Sequence, residues 1–434
     1  MAGGEPRIAD DRSSQLEKYV GDGNEVVEFK LIRTRSDIEN EEVGFKPEMC
    51  HQIFNQSETI FGYENLKIQL YFTAGSLHTF LGIRFKSKVS QTLADGAEPD
   101  NLIEKLGAVL RSNYTSNLDD FSAKIDKEHQ FQPFGELIHS FTVDRKPSAE
   151  VVNGSGRSHS NGDVTISKTY EIYVCDISIP KFQDYLIKME TFVLWFIDAA
   201  SFLDSDDERW KFYVMYEKYK SSEGNTMYAF VGYSSVYNFY CYPELIRPRV
   251  AQMVILPPFQ RQGLAVELLS AIYRSYRSNP KTKEITVEDP SDDFERLRDF
   301  VDARDCSKLS SYSNEKLKKG FSKEMSEEAK TVLKMTHRQA RRVYEMLRLR
   351  VTNENDPKEL KEYRLDVKRR LNIPYQKQQS DIKRMMRRKF NSTELQTASQ
   401  LDDGSRKQEL ESNFNLLLSH YQYITSRLER DVES

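Results

Sequence analysis

The order of strand, tight turn and helix at residues 249–266 constrains this chain more than any other feature. A β-branched and apolar run at residues 249–256 meets two prolines and then the turn at residues 260–265. About four backbone N–H groups at a helix N-terminus lack intrahelical partners, and the peptide dipoles place partial positive charge there. Because Gly263 has no Cβ to hold a ligand away, the turn predicts an anion cradle of pyrophosphate size.

The residue pattern of the turn narrows the kind of anion. No G-K-[ST] follows, which excludes a P-loop, and the dinucleotide fingerprint G-x-G-x-x-G is absent. The Q-x-x-G-x-A form resembles the acetyl-CoA loop of the GNAT superfamily of N-acetyltransferases, which implies acetyl-CoA as cosubstrate. A strand, turn and helix that bind no ligand are the alternative interpretation of the turn alone. The helix after the turn carries apolar residues at i, i+4 spacing, which predicts one face packed on a sheet: Leu264, Leu268, Ile272 and Tyr276.

Composition indicates a soluble globular chain. At 434 residues, with 30% charged and 38% hydrophobic residues, two or three domains are expected. The N-terminal residues contain no apolar core of a secretion signal, and the most apolar stretch, residues 192–203, is too short to span a bilayer. The four cysteines form no C-x-x-C pair and the seven histidines have no ligand spacing. We therefore expect a reducing compartment, no disulfides, no metal and no membrane association.

Charge is unevenly spread along the chain. The net charge is −4, yet residues 331–390 hold 18 Lys and Arg against 7 Asp and Glu, a balance of +11 that leaves −15 for the rest. An acidic body favours a basic partner, and the basic segment favours nuclear import, an acidic partner or nucleic acid. Ordinary solvated helix faces are the alternative explanation for either cluster.

Five regions are predicted from the changes of pattern along the chain. They are a flexible N-terminus (1–23), an N-terminal α/β domain (24–145), a flexible Ser/Gly/Asn-rich loop or linker (146–167), a GNAT acetyltransferase domain (168–318) and a C-terminal helical region (319–434). Strands are predicted at residues 24–33, 66–73, 170–177, 210–219, 227–237, 249–256 and 284–287. Helices are predicted at residues 103–112, 182–202, 326–350, 357–371, 376–389 and 406–430, with a break at Pro374. The fold class is α/β (α+β): a GNAT-type mixed sheet flanked by helices, with an N-terminal mixed α/β domain and a C-terminal helical extension.

Two adjacent carboxylates, Glu288 and Asp289, follow the predicted strand at residues 284–287 and precede Pro290. A lysine amine, with an ordinary pKa of about 10.4, must lose a proton before it attacks a thioester. A carboxylate in a partly dry cleft can accept that proton. Since Glu288 reaches farther than Asp289, we assign it as the general base. A turn with a helix cap is the alternative interpretation of this tetrapeptide.

Residues 228–243 contain seven aromatic side chains in sixteen positions. Aromatic walls can pack on the methylene stem of a substrate lysine, although a Tyr-rich strand is more often plain core. No cysteine has a neighbouring histidine, so no covalent nucleophile is indicated. Direct attack in a ternary complex is the simpler mechanism, with backbone N–H groups near residues 253–255 polarising the thioester carbonyl.

Seven strings, in order, carry a closer resemblance. They are FGYENLKIQLYFTAGSL (61–77), FQPFGELIHSF (131–141), WFIDAASFLDSDDERW (195–210), RPRVAQMVILPPFQ (247–260), ITVEDPS (285–291), LRDFV (297–301) and RRVYEMLRL (341–349). The chain resembles the catalytic subunits of type B histone acetyltransferases from about Val27 to its C-terminus. The resemblance implies acetyl transfer to tail lysines of newly made, soluble histone H4. It also implies histone H3 and a WD-repeat histone-binding chaperone as partners, a location in nucleus and cytoplasm, and no direct nucleic-acid requirement.

The resemblance also implies roles for individual residues. The acetyl-CoA contacts fall on Met253, Val254, Ile255, Gln260, Arg261, Gln262, Gly263, Leu264, Ala265 and Val266. The base falls on Glu288, with Asp289 and Asp198 as auxiliary candidates. Histone-tail contacts fall on Gln56, Ser57, Glu58, Trp210, Tyr237, Asn238 and Phe239.

This chain departs from the family pattern at several of these positions. Gln56 and Ser57 stand where relatives are more acidic, Asp198 stands where a glutamate is expected, and Arg261 replaces a small residue. The loop at residues 146–167 is longer than expected, with no catalytic part assigned to it. Two other functions are therefore kept as alternatives: a GNAT enzyme that acts on another protein amine, and a catalytically weak histone carrier or chaperone subunit.

Overall fold

The computed structural model describes residues 15–145, 166–353, 355–387 and 403–433, and it divides into two compact units. The first unit contains residues 1–240 and 248–275, and the second contains 241–247 and 276–434. The predicted boundaries at residues 145 and 318 do not coincide with this division. The predicted 146–167 loop lies outside the described residues except for Ile166 and Ser167, which already belong to a strand.

The first unit begins with three small sheets. Their strands are β1 (Val20–Asp22), β2 (Val27–Ile32), β3 (Gly44–Phe45), β4 (Thr59–Phe61), β5 (Tyr63–Glu64), β6 (Lys67–Thr73), β7 (Thr79–Arg84) and β8 (Ser87–Lys88). Its helices are α1 (Gly23–Val26), α2 (Leu102–Val109) and α3 (Leu118–Ile125). Four strands form one sheet in the order β3-β2-β6-β7, in which β2 and β6 run parallel.

Two predictions for this region need correction. The strand predicted at residues 24–33 starts only at Val27, because the Asp22 side chain accepts a hydrogen bond from Asn24 N and caps helix α1. The flexible N-terminus predicted for residues 1–23 is wrong at its end, since β1 pairs with β4. Residues 1–14 lie outside the described part of the chain.

The second sheet of this unit carries the predicted cradle. Its strands are β9 (Glu136–Arg145), β10 (Ile166–Cys175), β11 (Trp210–Lys220), β12 (Thr226–Cys241) and β13 (Leu245–Ile255), adjacent in that order. Helices α4 (Phe182–Glu190) and α5 (Val193–Phe196) lie between β10 and β11, and α6 (Leu264–Ser278) follows β13. Because β9 pairs with β10, the predicted N-terminal domain ends in a strand of this sheet. The sheets and flanking helices confirm the α/β fold class.

The single helix predicted at residues 182–202 is wrong, because α4 ends at Glu190 and α5 at Phe196. The Glu190 carboxylate is fully buried and accepts a hydrogen bond from Leu203 N at 2.8 Å. Arg111 pairs with the same carboxylate at 2.8 Å. The chain therefore turns back toward α4 instead of continuing as a helix.

The backbones of β12 and β13 approach closely beside the end of β13. Met215 pairs with Gly232 and Tyr216 with Phe230, so Val231 is an extra residue in β12, a β-bulge. Leu256 N donates to Val231 O at 2.9 Å. A Cβ on Gly232 would lie 2.1 Å from Val254 O, so only glycine fits here.

The second unit is mainly helical. It contains strand β14 (Thr286–Val287) and helices α7 (Asp292–Cys306), α8 (Asn314–Lys319), α9 (Lys323–Leu333), α10 (His337–Arg350), α11 (Pro357–Leu371), α12 (Ile373–Arg387) and α13 (Asp403–Glu433). The helix predicted at residues 357–371 is confirmed. None of the described helices is both long and apolar enough to cross a membrane.

Two helix predictions in this unit are wrong in detail. The helix predicted at residues 326–350 is two helices, because Lys334 takes a left-handed φ of +55° and the Thr336 side chain caps α10. The predicted break at Pro374 is the first turn of α12. Proline is tolerated there because the first N–H groups of a helix have no intrahelical partner.

A buried carboxylate joins three of these helices. Glu345 of α10 is fully buried and receives two hydrogen bonds from Arg370 of α11, at 2.7 and 2.8 Å. Tyr421 of α13 donates to the same carboxylate at 3.0 Å, and Arg341 pairs with it from one turn earlier in α10. These donors offset the cost of burying the charge.

We predict that Gly232→Ala destabilises the first unit by about 1–3 kcal/mol, because the new methyl group meets the Val254 carbonyl oxygen. The control is Gly107→Ala in α2, where the nearest atom to the new Cβ is Tyr114 Oη at 3.8 Å. The control should be neutral or stabilising by up to about 1 kcal/mol. Urea unfolding curves measure both, and equal midpoints for the two variants would contradict the close approach of the strands.

Candidate active site

The turn between β13 and α6 has the geometry predicted for the cradle. A 3₁₀ turn at Pro257–Phe259 leads to Arg261, with a φ of +60°, and to Gly263, with a φ of +78°. Apart from its chain neighbours, no atom of the described residues lies within 4 Å of the place that a Cβ on Gly263 would take. The backbone at the start of α6 is therefore open on that side, and the residues present fit a phosphate-bearing ligand.

Two side-chain amides of the turn stabilise it by hydrogen bonds to backbone carbonyl groups. Gln260 donates to Ile255 O at 3.0 Å, and Gln262 donates to Pro258 O at 2.9 Å. Tyr170 of β10 donates to the Gln262 side chain at 3.2 Å. Gln260 and Gln262 therefore have structural roles in addition to their predicted contact with acetyl-CoA, while the Arg261 residue is exposed.

The helix behind the turn packs as predicted. Its four apolar residues at i, i+4 spacing are all buried: Leu264, Leu268, Ile272 and Tyr276. Val266 is buried as well, and Ala265 is half-buried. At the end of β13, Met253 and Ile255 are half-buried while Val254 is buried, an alternation that places the first two on one face. Their predicted contacts with acetyl-CoA stay predictions.

Three of the predicted histone-binding residues form an aromatic cluster, defined by Trp210, Tyr237 and Phe239. The ring centroids of Trp210 and Tyr237 are 4.8 Å apart, and those of Tyr237 and Phe239 are 4.5 Å apart, both edge to face. Asn238, between them, donates its backbone N–H to Arg209 O at 3.0 Å. The cluster lies at the paired ends of β11 and β12, where Trp210 faces Tyr237 in the strand register.

Two residues that the sequence analysis did not single out hold this cluster. Asp207 accepts a hydrogen bond from Tyr237 Oη at 2.9 Å, and the Arg209 guanidinium lies 4.9 Å from the Tyr237 ring centroid. Hydrogen bonds from Arg209 hold the pKa of Asp207 well below its usual range. Partial burial and the bond to Asp207 raise the pKa of Tyr237. The acidic run at residues 204–208, just before Arg209 and Trp210, is the sequence feature that could have pointed to Asp207.

The remaining histone-binding candidates lie in the turn before β4. Gln56 and Ser57 are exposed. Glu58 is engaged within the chain: its carboxylate accepts from Cys50 N at 2.7 Å and from the Asn24 side chain at 2.8 Å. These bonds, the Cys50 bond first, lower the pKa of Glu58. Glu58 thus organises the turn, and its predicted histone contact stays a prediction.

The three candidate base carboxylates are all exposed. Asp198, with 74% of its side chain exposed, contacts His51 Nε2 at 3.1 Å. Glu288 and Asp289 follow β14 in the second unit, and Ser291 caps α7. The expectation that the chain itself keeps Glu288 partly dry is wrong, because this side chain reaches solvent. Its assignment as base stays a prediction.

Among the described residues, no group of three or more His, Cys, Asp or Glu side chains could hold a metal ion.

The sheet, the open turn at Gly263 and helix α6 together indicate that the class of protein is an acetyltransferase.

Comparison with known proteins identifies the family. Residues 19–198 match the model described as histone acetyl transferase HAT1 N-terminus, and residues 298–349 match histone acetyltransferase type B catalytic subunit, C-terminal. The mouse histone acetyltransferase type B catalytic subunit is 39% identical over 417 residues, 96% of each chain. The human one is 40% identical over 418 residues, 96% of this chain and 95% of its own. A Cryptococcus neoformans relative is 33% identical over 376 residues, 82% of this chain and 89% of its own. The chain belongs to the family of histone acetyltransferase type B catalytic subunits, and it is an acetyltransferase that uses acetyl-CoA.

We predict that Gly263→Val raises the Kd for acetyl-CoA at least tenfold, because the added methyl groups fill the side from which a phosphate approaches the backbone. The control is Gly224→Val, since Gly224 has a φ of +83° and equally open surroundings but lies in the turn between β11 and β12. Both variants carry the same backbone strain. Calorimetry that finds equal affinities for the two variants would contradict the cradle.

Proposed function

We propose that this chain transfers the acetyl group of acetyl-CoA to lysines in the N-terminal tail of newly synthesised, soluble histone H4. The observation that carries this proposal is the aromatic cluster with its carboxylate neighbour Asp207 on the same sheet as the cradle. Aromatic faces attract cations and pack on methylene stems, and a carboxylate adds attraction for a lysine-rich segment.

The position of the aromatic cluster along the sheet favours an extended peptide over a small amine. Leu256 N bonds Val231 O, and Arg249 lies 4.5 Å from the Phe239 ring centroid, so β12 and β13 run antiparallel. The cradle therefore begins beside Val231, and Tyr237 lies six residues farther along β12, about 20 Å at the usual strand rise. A peptide of about six extended residues spans this distance, whereas a small amine reaches only one end.

We propose direct attack by the lysine amine in a ternary complex. The amine nitrogen forms a bond to the thioester carbonyl carbon, the carbon–sulfur bond breaks, and coenzyme A leaves as its thiol or thiolate. Glu288 accepts the amine proton, and backbone N–H groups near Ile255 stabilise the carbonyl oxygen. Two buried cysteines are poor candidates for an acetyl-cysteine intermediate, since burial raises the pKa of both Cys50 and Cys175 to about 12.

The proposed partners are histone H4 together with H3 and a WD-repeat histone-binding chaperone, with the protein in both nucleus and cytoplasm. Family membership supports this part of the proposal, and so does the acidic balance of the chain outside residues 331–390. No nucleic acid or membrane is required. Incubation with acetyl-CoA and free histones, followed by peptide mapping, tests the proposal: acetylation confined to other histones or to α-amines would contradict it.

We predict that Trp210→Ala raises the KM for an H4 tail peptide by about 5- to 30-fold, with little change in kcat or in the Kd for acetyl-CoA. The loss corresponds to about 1–2 kcal/mol of aromatic packing. The same substitution should have no effect on a truncated peptide too short to reach the cluster from the acetylated lysine. Equal effects on the long and the short peptide would contradict the proposed path of the tail.

We predict that Glu288→Gln lowers kcat by about 10²–10⁴-fold while acetyl-CoA binding stays near normal, because the amide cannot accept a proton. The residual rate should rise as pH approaches the lysine pKa. Asp289→Asn, the matched neighbour, should have a smaller effect. Steady-state kinetics measures both, and an inverted order of the two variants would show that the base is assigned to the wrong carboxylate.

A further inference from the structure

The segment at residues 48–58 touches several of the places to which functions are assigned. Glu48 Oε1 accepts from the Gln260 side chain of the cradle at 3.2 Å. The backbone N–H groups of Glu48 and Met49 donate to Trp195 O at 3.1 and 3.2 Å. Gln52 donates to Ile197 O at 3.0 Å, so this segment runs along the stretch that ends at Asp198.

His51 lies between two carboxylates of the candidate site. Its Nε2 atom is 3.1 Å from Asp198 Oδ1, and its Nδ1 atom is 3.5 Å from Glu58 Oε1. The ring is half-buried, with 25% of its side chain exposed. Because each ring nitrogen faces a carboxylate, His51 has no nitrogen left to act as a base on a substrate.

We propose that His51 is a positioning residue that fixes the Asp198 carboxylate and joins it to the Gln56–Glu58 turn. This inference rests on the proposed function and on the roles that the family resemblance implies, an auxiliary carboxylate at Asp198 and a histone contact at the turn. An exposed aspartate side chain otherwise samples several rotamers, and the 3.1 Å contact with the imidazole favours one of them.

The turn has a second support that the auxiliary carboxylate lacks. The Glu58 carboxylate also accepts from the backbone N–H groups of Cys50 and His51, at 2.7 and 3.2 Å. Those bonds survive any substitution of the His51 side chain. Loss of the imidazole should therefore disturb Asp198 more than the turn, so the effect should fall on kcat more than on the KM for the peptide.

The experiment compares four variants of the full chain, with acetyl-CoA and an H4 tail peptide as substrates. Asp198→Asn and His51→Ala should each lower kcat by about 3- to 10-fold, the size expected when one polar contact that positions a carboxylate is lost. The double variant should be no slower than the slower single variant, because His51 acts only through the Asp198 carboxylate, which is already absent in Asp198→Asn. The control is His129→Ala, an exposed histidine that contacts Asp126 O, and its kcat should be unchanged.

Two conservative variants test which ring nitrogen matters, the Nε2 atom that faces Asp198 or the Nδ1 atom that faces Glu58. In His51→Gln the side-chain amide replaces Nε2 and can still donate to Asp198, whereas in His51→Asn it replaces Nδ1 and reaches only toward Glu58. His51→Gln should recover most of kcat and His51→Asn should not, with equal unfolding midpoints for both. Equal recovery by the two variants, multiplicative single effects or a wild-type kcat for Asp198→Asn would each overturn the inference. Acetylation of the H4 peptide by the wild-type chain would still stand, so the proposed function is tested separately.

Discussion

The close approach of two strand backbones at Gly232 is the constraint on which the site depends. Without a side chain at that position, β12 can bulge at Val231 and accept a hydrogen bond from Leu256 at the end of β13. That bond fixes the point at which the chain leaves the sheet, and the turn with Gly263 follows seven residues later. The position of the turn that leads into α6 thus depends on a contact in the sheet as well as on the residues of the turn.

The parts of the fold that depend on local periodicity could be predicted from the sequence. The apolar face of α6 and the helix Pro357–Leu371 were predicted from side-chain spacing, and in the structure the Asp356 side chain caps the second of these. The errors arose where a distant group decides the local structure. No sequence pattern near Leu203 shows that a buried carboxylate thirteen residues earlier binds its N–H, and Lys334 ends a helix without glycine or proline.

The candidate site also has features that could be predicted from the sequence and features that could not. The glycine turn was predictable because it lies within one continuous stretch, whereas the residues of the aromatic cluster were assigned from the family resemblance. The positions of Asp207 beside Tyr237, and of His51 beside Asp198, join residues 30 and 147 positions apart in the sequence. Only the folded chain brings such pairs together. For Glu288 the sequence led to a wrong expectation: a position in a partly dry cleft was expected, whereas the side chain is exposed in the structure.

The buried carboxylate of Glu345 has a consequence for how the helical unit tolerates change. Its donors come from α10, α11 and α13, so two of the three helices reach it from outside its own helix. A truncation that removes α13 takes away the Tyr421 donor and leaves the buried carboxylate with Arg341 and Arg370, so the cost of an unmet hydrogen bond adds to the loss of packing. The final helix is therefore not a dispensable tail: truncation within it and substitution of the glutamate damage the same cooperative unit of folding.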